Sequence, residues 1–316
     1  MELWRRAVNP WNQEVLIGVS WDLMWAAIIA GAGFVVLHAL WARFMAPAAA
    51  ASSDDPSSGL PIRILRHALS ERVFHGLMAA AMLVLLVTAF FPVLGIQFAW
   101  VTIHWVAGVI LTALIAYHVI HATFRQDLWA MWIGKADIKA GVAELKHILG
   151  SGGEDASKAG KYPIDHILFH HSAAVAGLVA IATGVLMMLR LETPFWTANP
   201  YMLADSTWGV VYVLHGLSGV GLIALTITHI YFAIRPDKWW ITRSMIYGWI
   251  PRSEYLGNHD PKRWVVEGTE EPELVSAGVS EGSASEAAGE WSGSDAAEGD
   301  TAAGDEGTPF DSGAAS

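Results

Sequence analysis

Four histidines of this chain form two pairs with the same spacing: His104 precedes His118 by fourteen residues, and His215 precedes His229 by fourteen. In an α-helix, fourteen residues end within about 40° of four full turns and rise about 21 Å. The two histidines of a pair therefore lie on one helix face, one near each side of a membrane. Two such helices facing each other can ligate two stacked iron ions, so the spacing indicates bis-histidine ligation of b-type haem.

The helices that carry these pairs belong to an internal repeat. Shifted by 111 residues, the segment 104–118 falls on 215–229 with seven of fifteen positions identical. Gly108 and Gly219 correspond, each one turn after the first histidine on the same face. A missing side chain there lets a flat macrocycle lie close to the backbone. The preceding helices repeat as well, in three matching residue types: Phe74, His75 and Thr88 in the first copy, and Phe169, His170 and Thr183 in the second. The chain is therefore predicted to contain a duplicated helix pair.

The composition is that of a membrane protein, because 53% of the residues are apolar, 16% are charged and long stretches carry no charge. Lipid leaves backbone polar groups without external partners, so the apolar stretches are predicted to be helices. Five stretches exceed the ~20 residues that a spanning helix needs: residues 16–42, 73–94, 98–121, 167–189 and 208–234. The predicted fold class is an all-α membrane protein: a four-helix transmembrane bundle holds two b haems, and one extra N-terminal transmembrane helix precedes it. An amphipathic helix is predicted over 136–149.

The distribution of charged residues predicts the orientation of the chain in the membrane and the extent of its acidic tail. Of the nineteen Lys and Arg, three (Arg5, Arg6 and Arg190) fall on one predicted side and sixteen on the other. The positive-inside rule then puts the N-terminus outside and the C-terminus in the cytoplasm. The predicted location is the plasma membrane of a prokaryotic cell. Three regions are predicted: 1–65 with the extra helix, 66–264 as the di-haem bundle, and 265–316 as an acidic tail. That tail has thirteen Asp and Glu and no Lys or Arg, and it is predicted to be disordered.

The chain contains no cysteine. Cysteine-ligated iron–sulfur clusters and the covalent attachment of c-type haem are therefore excluded, whereas b-type haem needs only imidazoles. His104 and His215 lie at the outer side with no rival, so they are predicted to share the outer haem. The cytoplasmic haem has three candidate ligands, because His75 opens the second span at the depth of His118 and His229. A lone residue such as His38 is interpreted as a contact with a neighbouring helix.

Several residues at the predicted cytoplasmic edge are candidates for contacts with a quinone, with protons or with haem propionates. Arg125 and Arg235 follow the ligand helices directly, where a guanidinium can neutralise a propionate. Tyr162 and His166 are the candidates for quinone binding, together with Tyr117, His121, Asp165, His170 and His171. None of these residues is predicted to be catalytic by itself.

The motif Arg72-Val-Phe-His75 at the start of a span resembles the start of the cytochrome b (gamma) subunit of membrane-bound formate dehydrogenase. Related cytochrome b subunits of hydrogenase and thiosulfate reductase share that pattern. The last span, from Leu214-His215-Gly-Leu-Ser-Gly219 to His229-Ile-Tyr231, and the basic stretch ending in Pro261-Lys-Arg-Trp264 are similar to that family's last helix and tail. The resemblance covers about residues 66–264.

This resemblance implies an outer haem ligated by His104 and His215 and a cytoplasmic haem ligated by His75 and His229. It further implies that menaquinone reacts beside the cytoplasmic haem. Electrons would pass to or from an iron–sulfur subunit on the outer face, itself attached to a catalytic subunit such as a molybdopterin enzyme. The chain would then be an electron-transfer subunit of a respiratory oxidoreductase, with membrane lipid around it and no nucleic-acid partner.

Two features depart from that family. His118 is outside its ligand set, and equal histidine pairs on two helices are the pattern of the cytochrome b of quinol–Rieske (bc-type) complexes, where His118 and His229 would share the cytoplasmic haem. The first span, 16–42, is also extra. A bc-type cytochrome b therefore stays an alternative, as does a haem-free proton-coupled transporter in which the histidines relay protons.

Overall fold

The computed structural model describes residues 2–45, 54–126, 128–148 and 158–266. Five of its helices are long and apolar enough to cross a membrane. They are α1 (Trp21–Phe44), α2 (Leu69–Phe90, extended by a 3-10 turn to Leu94), α3 (Trp100–Arg125), α5 (Ile164–Met188) and α6 (Asp205–Ile234). The five spans predicted from the sequence are confirmed within a few residues. The predicted amphipathic helix is also confirmed, as α4 (Lys135–Ile148).

Local features of the sequence explain where several of the spanning helices begin or end. Ser20 caps α1 by accepting a hydrogen bond from the backbone N–H of Asp22 at 3.1 Å. Pro163 stands immediately before α5, where its missing N–H costs nothing. Gly95, with φ +79°, ends the turn after α2. Residues 149–157, and residues 267–316 of the predicted acidic tail, lie outside the described residues.

Helices within each sequence repeat pack along each other: α2 lies against α3, and α5 lies against α6. Smaller contacts join the repeats, α3 with α5 and α2 with α6. The chain alternates direction from helix to helix, so the start of α2, the end of α3, the start of α5 and the end of α6 lie at one end of this assembly. We call it the β3 end, after the strand β3 (Arg63–Leu65) that precedes α2, and we call the opposite end the β1 end, after the strand β1 (Trp4–Val8).

The additional helix α1 packs on α6. A Cβ added at Gly31 would lie 3.2 Å from the Ile227 side chain, so glycine permits the close approach of the two helices. His38 Nδ1 lies 3.0 Å from the Tyr231 hydroxyl oxygen, which confirms the interpretation of His38 as a contact between neighbouring helices.

A β-hairpin precedes α1, and this part of the sequence prediction was wrong. Strand β1 (Trp4–Val8) pairs with β2 (Glu14–Val19) in antiparallel fashion, so the first span starts at Trp21 rather than at residue 16. The apolar residues of β2 were read as helix because they adjoin the hydrophobic run of α1. The hairpin packs on α6, where a Cβ at Gly209 would lie 2.8 Å from Leu16 Cβ.

A second small sheet covers the β3 end. Strand β3 (Arg63–Leu65) pairs with β4 (Trp249–Pro251), and the helices α7 (Trp239–Tyr247) and α8 (Arg252–Asn258) flank β4. Ile64, Ile250 and Tyr255 form its core and are at most 1% exposed. Gly248 has φ +90°, and a Cβ there would lie 2.8 Å from the His67 carbonyl oxygen, so only glycine fits this turn.

Candidate functional site

His104 and His215 face each other across the two repeats near the β1 end. Their ring centroids are 6.1 Å apart, and the ring planes are inclined by 73°. His104 comes from α3 and His215 from α6, as the duplicated spacing predicts. Two imidazole nitrogens, each about 2 Å from one metal ion, would place their ring centroids about 6 Å apart.

Two threonines set the protonation of these rings. Thr88 Oγ1 lies 2.8 Å from His104 Nδ1, and its hydroxyl donates to the Val84 carbonyl oxygen at 2.7 Å. Thr183 Oγ1 lies 3.0 Å from His215 Nδ1 and donates to Val179 at 2.6 Å. Since each hydroxyl proton is already used, the oxygen accepts from Nδ1–H of the imidazole. Nε2 of each ring therefore keeps its lone pair, which is the atom and state that bind iron.

Three glycines on the helices around His104 and His215 differ in the free space beside them. A Cβ at Gly219 would meet nothing within 4 Å, and one at Gly108 would meet only Leu85 Cδ2 at 3.9 Å. A Cβ at Gly184 would lie 3.3 Å from Cε1 of the His215 ring. Gly184 thus permits the close approach of this imidazole, while Gly108 and Gly219 leave room for a flat group. The sequence prediction missed Gly184, because its repeat counterpart is an alanine at position 89.

His75 and His229 form a second pair near the β3 end. Their ring centroids are 6.3 Å apart, with the planes inclined by 50°. The Phe169 ring stacks on His229 at 4.7 Å and 15° and limits the orientations of that imidazole. This pair joins α2 to α6, and it repeats the ring spacing found between His104 and His215.

His118 lies against other residues. Its ring stacks on Phe74 at 4.6 Å and 7°, and its centroid is 6.4 Å from that of His170. By sequence, His75 and His118 are rival candidates for one partner, His229. In the structure each of the two faces a histidine of its own, from the opposite repeat.

The donor set fits haem better than a bare metal ion. Within the described residues, no group of three or more His, Cys, Asp or Glu side chains converges on one point. Zinc and similar ions need three or four protein ligands, whereas a porphyrin supplies four and leaves two axial positions for imidazoles. Pairs of histidines with ring centroids about 6 Å apart are therefore suited to the iron of haem.

Comparison with protein-family models identifies the family of this chain: the model of prokaryotic cytochrome b561 matches residues 66–248. The chain belongs to the prokaryotic cytochrome b561 family. Cytochromes of this family bind b-type haem, and the chain is a multi-pass membrane b-type cytochrome that acts in electron transfer. The matched region contains every histidine pair described above. A comparison with curated proteins gave no match.

The predicted propionate partners are the arginines that follow α3 and α6. Arg125 is exposed at the end of α3. Arg235 donates two hydrogen bonds to Asp237, at 2.8 and 2.6 Å, and a third contact of its guanidinium reaches His38 at 3.4 Å. A propionate would have to compete with Asp237 for Arg235.

The predicted quinone contacts lie beside a polar cluster at the β3 end. The Tyr162 ring is 6.5 Å from the ring of His67, and the Arg66 guanidinium carbon is 5.8 Å from the Tyr162 centroid. His67 Nδ1 donates to the Glu71 carboxylate at 3.1 Å, although burial holds the pKa of His67 below its usual value. His166 Nε2 lies 4.0 Å from the Asp165 carboxylate.

Arg66 is a buried cation that no sequence pattern indicates. It is 2% exposed, and it donates from Nη1 to His259 Nε2 at 3.1 Å and from Nη2 to the Lys161 carbonyl oxygen at 3.2 Å. Burial lowers the pKa of Arg66 to about 10. Burial, and then the Arg66 charge, lower the pKa of His259 to about 4, although the hydrogen bond that His259 donates to Gly160 opposes this.

Two arginine nitrogens stay without a hydrogen-bond partner in the described part of the chain. They are the buried Nε atoms of Arg66 and Arg72. Arg72 stands three residues before His75 on α2, so the two side chains share a helix face. Nothing in the hydrophobic pattern singles out Arg66 from the other basic residues at the helix ends. Arg72 was marked only by the motif Arg72-Val-Phe-His75, and the burial of its Nε atom shows in the structure alone.

Proposed function

We propose that this cytochrome is the di-haem membrane subunit of a respiratory oxidoreductase and passes electrons between membrane quinone and a partner iron–sulfur or catalytic subunit. The observation that carries the proposal is the presence of two histidine pairs with ring centroids 6.1 and 6.3 Å apart, one toward each end of the spanning helices. In this proposal α2, α3, α5 and α6 form the four-helix bundle that holds both haems.

One helix contributes to both haem sites. His215 and His229 lie fourteen residues apart on α6, which corresponds to about 21 Å along the helix axis. A bound b haem supplies a one-electron iron couple, and two stacked sites would carry electrons across the membrane. His104 and His215 would hold the haem of the β1 end, and His75 and His229 the haem of the β3 end.

Neighbouring side chains fix the protonation or the orientation of the proposed ligand imidazoles. Thr88 and Thr183 keep the outer imidazoles protonated at Nδ1, and Phe169 fixes the plane of His229. Arg72 is our candidate for pairing with a propionate near His75, because its buried Nε–H has no partner within the described residues. Arg125 and Arg235 stay as weaker candidates for the same role.

The positive-inside rule supports a cytoplasmic β3 end and an outer β1 end, because sixteen of the nineteen Lys and Arg lie in connections on the β3 side. Quinone chemistry needs proton donors and acceptors. The polar cluster at the β3 end offers Tyr162, His166 and the hydrogen-bonded pair of His67 and Glu71. We therefore propose that menaquinone reacts there, and that the redox partner docks at the β1 end.

The two alternatives from the sequence are less well supported. A haem-free transporter does not agree with membership of a b-type cytochrome family. A bc-type arrangement requires His118 opposite His229, whereas the histidine that faces His118 is His170.

Difference spectra of the purified full-length chain test the proposal. Dithionite reduction should produce the α-band of b-type haem. Replacing His104 by alanine should remove one of the two haems, and replacing His75 by alanine should remove the other. A menaquinol analogue added to proteoliposomes should reduce the haems, and replacing Tyr162 by phenylalanine should slow that reduction more than dithionite reduction. A chain without an α-band, or haems that quinol cannot reduce, would contradict the proposal.

A further inference from the structure

Helix α4 carries an exposed apolar surface. Ile138, Val142 and Leu145 are between 46% and 55% exposed, and their spacing of four and three residues puts them on one face of the helix. Trp129 and Trp132, in the segment just before α4, are at least 65% exposed. We call these five residues the α4 stripe. An exposed apolar patch rimmed by polar residues marks an interaction site.

The neighbouring face of α4 is fixed on the rest of the protein. Asp137 forms an ion pair with Arg263 and accepts a hydrogen bond from the backbone N–H of Gly134 at 3.0 Å. A Cβ at Gly141 would lie 2.9 Å from Cγ2 of Ile164, so glycine permits the close approach of α4 to the start of α5. These contacts set the rotation of α4 about its axis, and the α4 stripe cannot turn inward without breaking them.

The position of α4 along the spanning helices indicates what surrounds its exposed face. Gly141 approaches Ile164, the first residue of the spanning helix α5. The Trp132 ring centroid is 6.4 Å from that of His171, which lies seven residues, or about 10 Å, farther along α5. The indole therefore lies beside the first two turns of a spanning helix, where tryptophan is enriched in membrane proteins. The α4 stripe thus lies at the boundary between lipid and water.

Lysines border the α4 stripe on one side. Lys135, Lys139 and Lys146 are exposed, and they lie within about 100° of the centre of the stripe, on the side away from Asp137. A lysine beside an apolar surface can keep its stem in the interface while its ammonium group reaches the lipid phosphates. Near an anionic lipid surface, each lysine favours the bound state by about fivefold. The charge of this face is therefore complementary to anionic phospholipid.

We propose that the α4 stripe binds the surface of a bilayer that contains anionic phospholipid. The apolar side chains enter the boundary between headgroups and acyl chains, and the three lysines contact the phosphates. Helix α4 then lies in the plane of the membrane beside the spanning helices, as amphipathic interfacial helices do. The connection between the two sequence repeats is anchored in this way at the β3 end.

Site-directed spin labelling tests the depth of the α4 stripe. The chain contains no cysteine, so a single introduced cysteine is the only labelling site. Ile138→Cys and Leu145→Cys place a nitroxide on the stripe, and Ala136→Cys is the matched control, because Ala136 is exposed about 160–180° around the helix from both. In proteoliposomes containing phosphatidylglycerol, the stripe labels should collide more with oxygen, which concentrates in lipid. The Ala136→Cys label should collide more with a water-soluble nickel complex.

Lysine variants test the preference for anionic lipid. In the Ile138→Cys background, replacing the three lysines by glutamine should raise the collision rate of the label with the nickel complex. Vesicles of phosphatidylcholine alone should have the same effect on the unsubstituted background. Replacing the three lysines by arginine keeps the charge and should leave the collision rates unchanged. Circular dichroism verifies that the variants keep their helix content.

Each other outcome would overturn the proposal. Stripe labels that are as accessible to the nickel complex as the Ala136→Cys label would show that the stripe lies in water. Stripe labels shielded from both reagents would show that a protein surface covers them. Stripe labels in lipid that respond neither to phosphatidylglycerol nor to the lysine variants would overturn the assignment to anionic lipid. Haem content enters none of these measurements, so the result is independent of the proposed electron-transfer function.

Discussion

Replacing Thr88 and Thr183 by valine should weaken haem binding between His104 and His215 without displacing a helix. Valine has nearly the shape of threonine but cannot accept the hydrogen bond from the imidazole Nδ1–H. Each imidazole retains a second acceptor, the backbone of Leu85 for His104 and the Ala180 carbonyl oxygen, 3.1 Å away, for His215. The substitution therefore removes one acceptor of two rather than leaving a buried N–H with none.

The expected loss follows from that geometry. One hydrogen bond contributes about 1 kcal/mol, so each single variant should bind haem about fivefold more weakly. Since both rings are proposed to flank one iron, the double variant should lose about 2 kcal/mol, or about thirtyfold. A ligand with a weaker Nδ1–H bond is less basic, so the midpoint potential of this haem should also rise.

Haem transfer to apomyoglobin measures the affinity, and redox titration resolves the potential. Thr123→Val is the control, because the Thr123 hydroxyl donates only to Val119 of its own helix at 2.7 Å. Thr88→Ser and Thr183→Ser, which keep the hydroxyl, should retain most of the affinity. Equal losses in Thr123→Val, or a double variant no weaker than the singles, would refute the role assigned to the threonines.

Three further results are expected. The pKa of His259 is about 4, below its ordinary value of about 6.5, so the unfolded chain binds more protons between these pH values. The contribution of His259 to the free energy of unfolding should be complete above pH 6.5 and should fall by up to roughly 3 kcal/mol as the pH drops to 4. Thermal unfolding of His259→Gln should lack this dependence of stability on pH, and an unchanged dependence would contradict the assignment. Gly216→Ala should lower the melting temperature by crowding Val19, whose Cγ2 would lie 2.7 Å from the new Cβ, at a cost of about 1–3 kcal/mol. The control Gly221→Ala should leave the melting temperature unchanged, because a Cβ there would meet nothing within 4 Å. Equal melting temperatures of the two variants would argue against the packing of β2 on α6. Gly219→Leu should remove the haem at His104 and His215 by filling the adjacent space, as measured by haem content, whereas an unchanged content would show that this space is not needed.

Hydropathy and histidine spacing were enough to predict the five spanning helices and the meeting of His104 with His215. Both predictions rest on strong regularities: a charge-free run of the required length must be helical in lipid, and fourteen residues bring two side chains to one helix face. The repeat of the preceding helices aligned Thr88 with Thr183, and in the structure their hydroxyls reach equivalent imidazoles.

Other features depend on contacts that leave little trace in the sequence. The β1–β2 hairpin was missed because Val15, Ile17 and Val19 extend an apolar run that continues into α1, and strand pairing depends on a partner segment elsewhere. The partner of His118 was open, because depth along a helix does not say which neighbouring helix a side chain faces. Burial of Arg66 likewise arises from the fold of the β3–β4 sheet around it.

The most direct test of the central claim is the haem content of His104→Ala, His215→Ala and the variant that combines them. If the two imidazoles ligate one iron, each single variant loses one haem, the same one by midpoint potential, and the double variant loses no more. If the single variants keep the full complement, or if the double variant loses two haems, then these histidines do not share a haem.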